Sequence, residues 1–379
     1  MAKKKSNPVS SDSAKGNYIS EWFGQRIFPM VRLDSTRFTK DAYDPCPFLT
    51  TVLRKTTKCV KNENSLGVCT INASSNGRRQ DWLACPYRVI DSGIVTDACE
   101  KIFSAKPSAR PTPASLLVEP SAMRAFQKAV RSLGRGYLFF QDKLGGEISI
   151  LGTERSPELA FDITIVEIVC SDNRFVLGRY GILEVQTMDF HGSYKRAVSN
   201  LRDALRLHRR TFSEALKKNL GWAADGIEGP NIANVFKRTF YQMMLKFELG
   251  GKGAAAGTVL ALPQAVWDSW QPFLGRPALE RLADGTYQIK QDGNASGSST
   301  VPNAYICVFD LDATRNAPIS PVRVNQFIRI SPEQLAHHAF AVVPSNMLDA
   351  IRGKDSILAS IKARLLPWWP DIEIAPAKT

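Results

Sequence analysis

Apolar, β-branched and aromatic residues crowd two stretches near the middle of the chain, residues 159–169 (LAFDITIVEIV) and 179–187 (RYGILEVQT), and predict two strands there. Side chains alternate along a strand, so Glu184 and Gln186 share a face, and Asp162 joins them if the two strands pair as a hairpin. Farther on, the apolar period lengthens to that of a helix. Over residues 231–249, Phe236, Phe240, Met243, Met244 and Phe247 fall at i, i+4, i+7, i+8 and i+11, a core-facing stripe that leaves Lys237, Arg238 and Gln242 to one side. Helices are also predicted over 17–28, over 121–133 with Ser121 as N-cap and Gly134 past its end, and over 195–218, 263–273 and 332–366. Further strands are predicted over 137–141, 147–150, 258–262 and 304–311, with a Pro/Ser/Ala linker at 104–115 and a polar loop at 288–299. This alternation of strands and helices argues for an α/β or α+β fold.

The 379 residues suffice for one large or two ordinary domains with a well-buried core. Charge changes the picture more than hydrophobic content does. Lys and Arg number 49 against 36 Asp and Glu, a net charge of +13 that favours polyanionic partners, nucleic acid ahead of an anionic membrane surface. Eight of those cations lie in 195–218, which would run along a phosphate backbone or form a solvated face. No run approaches the roughly 18 apolar residues of a membrane span. Residues 1–16 are basic and polar, without the apolar core of a secretory signal, and read as a disordered tail; the expected compartment is the cytoplasm.

Four of the seven cysteines, Cys46, Cys59, Cys69 and Cys85, fall within forty residues, and Cys99 follows. They lack the usual C-x₂₋₄-C pairing of zinc sites, so spacing leaves two readings, a four-thiolate metal site or buried free thiols. Cys46-Pro47 and Cys85-Pro86 begin tight turns in a segment that otherwise reads as polar loop to about residue 103. Four thiolates would suit zinc or iron equally. The acids carry the other candidate chemistry. An acid on one strand facing an acid-x-polar pair on the next is how metal-dependent nucleases hold divalent cations, because carboxylate oxygens are the hard ligands that Mg²⁺ prefers. The bland alternative is that Asp162 and Glu184 end strands in solvent.

Several blocks are more specific than these patterns. Cys46-Pro47-Phe48-Leu49-Thr50, Asp81-Trp82-Leu83 with Cys85-Pro86, Lys143-Leu144-Gly145-Gly146-Glu147, the run EVQTMDFHGSYK from Glu184 to Lys195, Glu228-Gly229-Pro230-Asn231 and the run NVFKRTFYQM from Asn234 to Met243 resemble, in order, the NotI-type restriction endonucleases. The likeness spans roughly residues 17 to 312 and fades in the tail, over 276–300 and at the C-terminus. It implies a type II restriction endonuclease with a PD-(D/E)xK core, a mixed central sheet flanked by helices, and an N-terminal four-cysteine metal-binding domain. The implied organisation is a tail (1–16), the cysteine region (17–105), a linker (106–120), the catalytic and DNA-recognition core (121–312) and a C-terminal helical region (313–379).

The resemblance further implies that Cys46, Cys59, Cys69 and Cys85 bind one structural iron or zinc ion, and that Glu147, Asp162, Glu184 and Gln186 form the catalytic set. Asp162, Glu184 and the Val185 carbonyl are the expected Mg²⁺ ligands, with Glu147 at a second ion. Gln186 stands where many such nucleases carry Lys, so the charge usually aimed at the attacked phosphate is missing from the strand. The expected substrate is double-stranded DNA at a GC-rich palindrome with a GGCC centre, cut by a two-fold homodimer. A companion DNA methyltransferase is implied by the family. Arg238 and Lys237 are the first candidate base readers, Arg and Lys being suited to guanine O6/N7, and Gln242 beside them is expected to face DNA. Tyr194 and Lys195 are expected on phosphates, and His191 is expected to position its loop or a phosphate. Rival readings are a structure-specific or repair nuclease, a non-catalytic DNA-binding protein, and a four-cysteine electron carrier.

Overall fold

The computed structural model describes residues 16–28, 45–75, 77–91, 93–106, 109–290, 303–312, 321–351 and 357–374. Most of the tail expected over 1–16 and of the loop expected over 288–299 lies outside these residues. The sequence pattern predicts a helix over 17–28, but the chain forms strands β1 (Tyr18–Trp22) and β2 (Gln25–Arg26) instead. Phe23 and Gly24 both adopt positive φ, 48° and 69°, which makes the two-residue turn whose twist suits a hairpin. Every residue from Tyr18 to Ile27 is buried, so no polar face reveals the strand period. Helix α1 (Pro47–Leu53) follows, then β3 (Val68–Ser75), β4 (Arg78–Leu83), α2 (Tyr87–Asp91) and α3 (Ile94–Phe103). The cysteine segment is therefore not the loop that its polarity suggests. The four strands form one antiparallel sheet in the order β2-β1-β3-β4.

A buried charge cluster ties that sheet to α2. Glu21 on β1 lies against the Arg88 guanidinium and the Thr70 hydroxyl, while Arg26 reaches Asp81 at 2.6 Å. Burying these charges is tolerable only because each finds a partner.

The next elements are β5 (Thr112–Pro113), α4 (Pro120–Leu133), β6 (Arg135–Phe140), β7 (Ile148–Ile150), β8 (Leu159–Phe161), β9 (Ile163–Ser171) and β10 (Arg174–Val185). Helix α4 begins one residue before the expected N-cap, Ser121, because Pro120 takes the first helical position, and it ends at Gly134 with φ 76° as expected. After β11 (Phe190–Gly192) come α5 (Lys195–His208), α6 (Phe212–Lys218), β12 (Ile227–Pro230), α7 (Ile232–Gly250), β13 (Ala255–Pro263) and α8 (Gln264–Trp270). The chain continues through β14 (Leu279–Arg281), β15 (Tyr287–Ile289), β16 (Ala304–Leu311), β17 (Val322–Arg329), α9 (Pro332–His337), α10 (Val343–Ile351) and α11 (Ile357–Leu365).

The protein is thus a mixed α/β fold built on a central nine-stranded sheet, ordered β14-β15-β17-β16-β13-β10-β9-β6-β5. Strands β6, β9 and β10 form an antiparallel meander; β13 and β16 then run parallel to β10. Part of the linker expected over 106–120 is β5, hydrogen-bonded to β6 at the sheet edge. The region expected to be helical beyond 313 contributes β17, which pairs with β16 and β15 inside the sheet.

Alternation along β13 sends Val259 and Ala261 to one face of the sheet and Leu260 and Leu262 to the other. The first face carries α3 and the buried cysteines; the second carries α7 and α8, and residues of the N-terminal sheet contribute to both clusters. The cysteine region shares a hydrophobic core with the sheet rather than standing apart from it. Two glycines permit this closeness: a Cβ on Gly181 would lie 2.2 Å from Ile102 Cδ1, and one on Gly250 would lie 2.1 Å from Thr258 Oγ1. Helix α3 therefore rests on β10, and the last turn of α7 rests on β13. Among the described residues no helix is long and apolar enough to cross a membrane.

Candidate active site

The β9–β10 hairpin positions the acids. Its register pairs Ile163 with Leu183, so Asp162 and Glu184 are the next neighbours along the ladder. The Val185 N–H donates to Asp162 Oδ2 at 2.9 Å, and the Asp162 N–H donates to Glu184 Oε1 at 3.3 Å. Each acid is therefore oriented by the other's strand. Ile148 pairs with Phe161 across β7 and β8, which brings Glu147 opposite Asp162 from the other side. A cavity of about 530 Å³ receives Glu147, Asp162, Glu184, Val185 and Gln186 together. The four residues expected to be catalytic thus converge.

Helix α7 closes the cavity. Its apolar stripe faces the sheet, and Arg238, Gln242 and Lys246, spaced at i, i+4 and i+8, line the cavity instead. Lys246 is 4% exposed, and its ammonium donates to the Glu184 carboxylate. Thr239 donates its hydroxyl to Gln186 Oε1 at 2.5 Å, while Gln186 Nε2 donates to the Thr187 carbonyl. Burial, and next the nearby Asp162 carboxylate, push Glu184 up to about 7 against the opposing pull of Lys246.

A second depression of about 500 Å³ continues past Asp189, Asn231, Lys237 and Arg238. Lys237, Arg238 and Gln242 are exposed, and Arg238 reaches Asp189 at 2.6 Å. His191 lies exposed on β11, which pairs with β12. Tyr194 is half-buried, its ring edge-on to Phe190, and burial with the Asp189 charge pushes its hydroxyl up to about 12. Lys195 opens α5 exposed, and Arg202, Arg206, Arg209 and Arg210 follow, exposed as well. At the cavities themselves, Lys237 and Arg238 stand exposed beside the acids that line them.

Cys46, Cys59, Cys69 and Cys85 line a separate cavity of about 10 Å³ together with Phe23, Gly67 and Tyr87. The antiparallel Pro45–Lys58 bridge sets Cys46 opposite Thr57, whose carbonyl accepts from the Cys46 N–H at 2.7 Å, and Cys46 caps α1, its Sγ accepting from the Leu49 N–H at 3.5 Å. Gly24 N–H donates to Cys69 Sγ at 3.2 Å. Cys69 and Cys85 are hydrogen-bonded: the shared proton pulls Cys85 down to about 6 and holds Cys69 well above the usual thiol range. Burial pushes Cys46 up to about 11. Among the described residues no three His, Cys, Asp or Glu side chains stand as a ready cation cage. The four cysteines expected to share one ion line the same small void, with backbone N–H groups donating to Cys69 and Cys46, but they are not assembled as a metal-binding group. Cys99 is buried on α3, and burial pushes its thiol up to about 12.

The sequence reading missed Lys246, Thr239 and Glu158 at the cavity. In the sequence Lys246 reads as one more surface lysine of the helix. It sits between Leu245 and Phe247, one turn beyond Gln242 on the same face. Compared with known protein families and with curated protein sequences, the chain gives no match.

Proposed function

We propose that this protein is a Mg²⁺-dependent, sequence-specific endonuclease that cuts both strands of DNA, with a PD-(D/E)xK core of the NotI-like type. The observation that carries the reading is the convergence of Glu147, Asp162, Glu184 and Gln186 in one cavity at the end of the β9–β10 hairpin. The order of α4, the β6-β9-β10 meander, α7 and the parallel β13 agrees with such a core. A protein that only bound DNA would gain nothing from three carboxylates facing a polyanion, since each repels phosphate unless a cation lies between.

Asp162 and Glu184, with the Val185 carbonyl and Glu147, would hold one or two Mg²⁺ ions. When bound, the metal supplies Lewis-acid stabilisation of charge on the phosphoryl oxygens. The protein's own contribution is orientation. The crossed hydrogen bonds between Asp162, Val185 and Glu184 hold both carboxylates before substrate arrives. Hydrolysis forms a bond from water oxygen to phosphorus and breaks the P–O3′ bond. One water proton ends on the departing 3′ oxygen and the other in solvent, leaving a 5′-phosphate and a 3′-hydroxyl.

Lys237, Arg238 and Gln242 on α7 read bases in the major groove, while Lys195, Tyr194 and His191 hold phosphates beside the cut. Two copies related by a two-fold axis serve the two half-sites of a palindrome with a GGCC centre. A DNA methyltransferase would protect the host's copies of that site, in the cytoplasm of a bacterium. Cys46, Cys59, Cys69 and Cys85 would hold one iron or zinc ion that joins α1, β3 and the turn before α2, a purely structural role. Replacing Asp162 or Glu184 by Ala tests the reading. Each variant should lose DNA cleavage while keeping DNA binding, and cleavage at the wild-type rate in either would remove these acids from the chemistry.

A further inference from the structure

We infer that Lys246 on α7 is the catalytic cation of this site, donating to a non-bridging oxygen of the attacked phosphate from the helix side; the inference rests on the nuclease reading. Five acids line the cavity, Glu147, Glu158, Asp162, Glu184 and Asp189, against two cations, Arg238 and Lys246. Arg238 is at the exposed rim and engaged with Asp189. Gln186 carries no charge, and its amide is bonded at both ends to Thr239 and Thr187. Among the described residues that line the cavity, Lys246 is therefore the one buried cation.

Its setting is built rather than incidental. The ammonium lies on the Glu184 carboxylate and 5.8 Å over the Phe161 ring, the residue before Asp162. Thr258 donates to the Lys246 carbonyl at 3.0 Å, which ties the origin of the stem to β13. A lysine ammonium has three donors on a flexible stem, so one can remain on Glu184 while another meets a phosphate oxygen. A buried ammonium is costly in a fold that gains only stability from it. It is useful where negative charge builds on a phosphoryl group, because a fixed, buried cation acts more strongly than one in solvent.

The test compares single-turnover plasmid cleavage with Mg²⁺ by wild type, Lys246→Met and the exchanged pair Gln186→Lys/Lys246→Gln. DNA affinity is measured against salt with Ca²⁺ in place of Mg²⁺, and thermal melting is recorded for each. Lys246→Met should slow the chemical step about 100- to 1,000-fold. Its logarithmic salt slope of DNA binding should fall by about 0.9, the loss of one phosphate contact, a change that a purely structural lysine would not produce. The exchanged pair should recover at least about ten-fold of the lost rate, because the charge returns from the strand side. Equal cleavage by wild type and Lys246→Met, or an unchanged salt slope, overturns the inference and leaves the nuclease reading intact. An inactive wild type overturns both. If Lys246→Met does not fold, the exchanged pair decides: cleavage supports the relocated cation and its absence overturns it.

Discussion

Acidifying the solution should raise the Mg²⁺ concentration that cleavage requires, with the break set by Glu184. An ordinary glutamate titrates at 4.5, but burial and Asp162 lift this one to about 7. Below that value the folded site holds a proton on Glu184, and a cation must displace it to gain the carboxylate. The competition weakens apparent Mg²⁺ affinity by a factor of about 2 at pH 7 and about 11 at pH 6, against about 1.1 at pH 8. The half-saturating Mg²⁺ concentration should therefore rise about ten-fold between pH 8 and pH 6. Stability without metal carries the same sign. Between 4.5 and about 7 the folded state binds more protons than the unfolded one, so stability falls as pH rises through that window. Plasmid cleavage titrated with Mg²⁺ at fixed ionic strength measures the first effect, and thermal melting in chelator the second. A half-saturating concentration that changes less than about two-fold over this range would place Glu184 among ordinary carboxylates and refute the reasoning.

Two further perturbations follow. Arg88→Met strands the Glu21 carboxylate in the N-terminal sheet and should destabilise the fold by roughly 3–5 kcal/mol, seen as a lowered denaturation midpoint; an unchanged midpoint would mean that Arg26 suffices as partner. Cys85→Ser should abolish metal uptake measured by elemental analysis and lower the melting temperature, because its cavity borders the core shared with the sheet; a full metal content in this variant would move the ion elsewhere.

The central hairpin was legible because Asp162 interrupts a β-branched run and Glu184 and Gln186 alternate on the paired strand, so local pattern and tertiary register coincide. The core stripe of α7 was legible for the same reason, since Phe240, Met243 and Phe247 repeat at the helical period. The N-terminal sheet was not. Its first hairpin is buried on all sides, and its Glu21 is satisfied by Arg88 of α2, more than sixty positions away in sequence. No local period announces such a pairing. Lys246 escaped for a related reason: a lysine on a helix reads as surface until a partner from a distant strand, here Glu184, is known to lie beneath it. The place of β17 in the sheet depends on a partner, β15, that its own sequence does not name.

The most direct measurement is a Mg²⁺-dependent digest of a large sequenced DNA by the wild-type protein, beside Asp162→Ala, with the fragment ends mapped. Discrete fragments sharing one palindromic GC-rich end sequence, absent with the variant, are the expected result. A smear, fragments that persist with Asp162→Ala, or intact DNA would contradict the assignment of a site-specific endonuclease to this cavity.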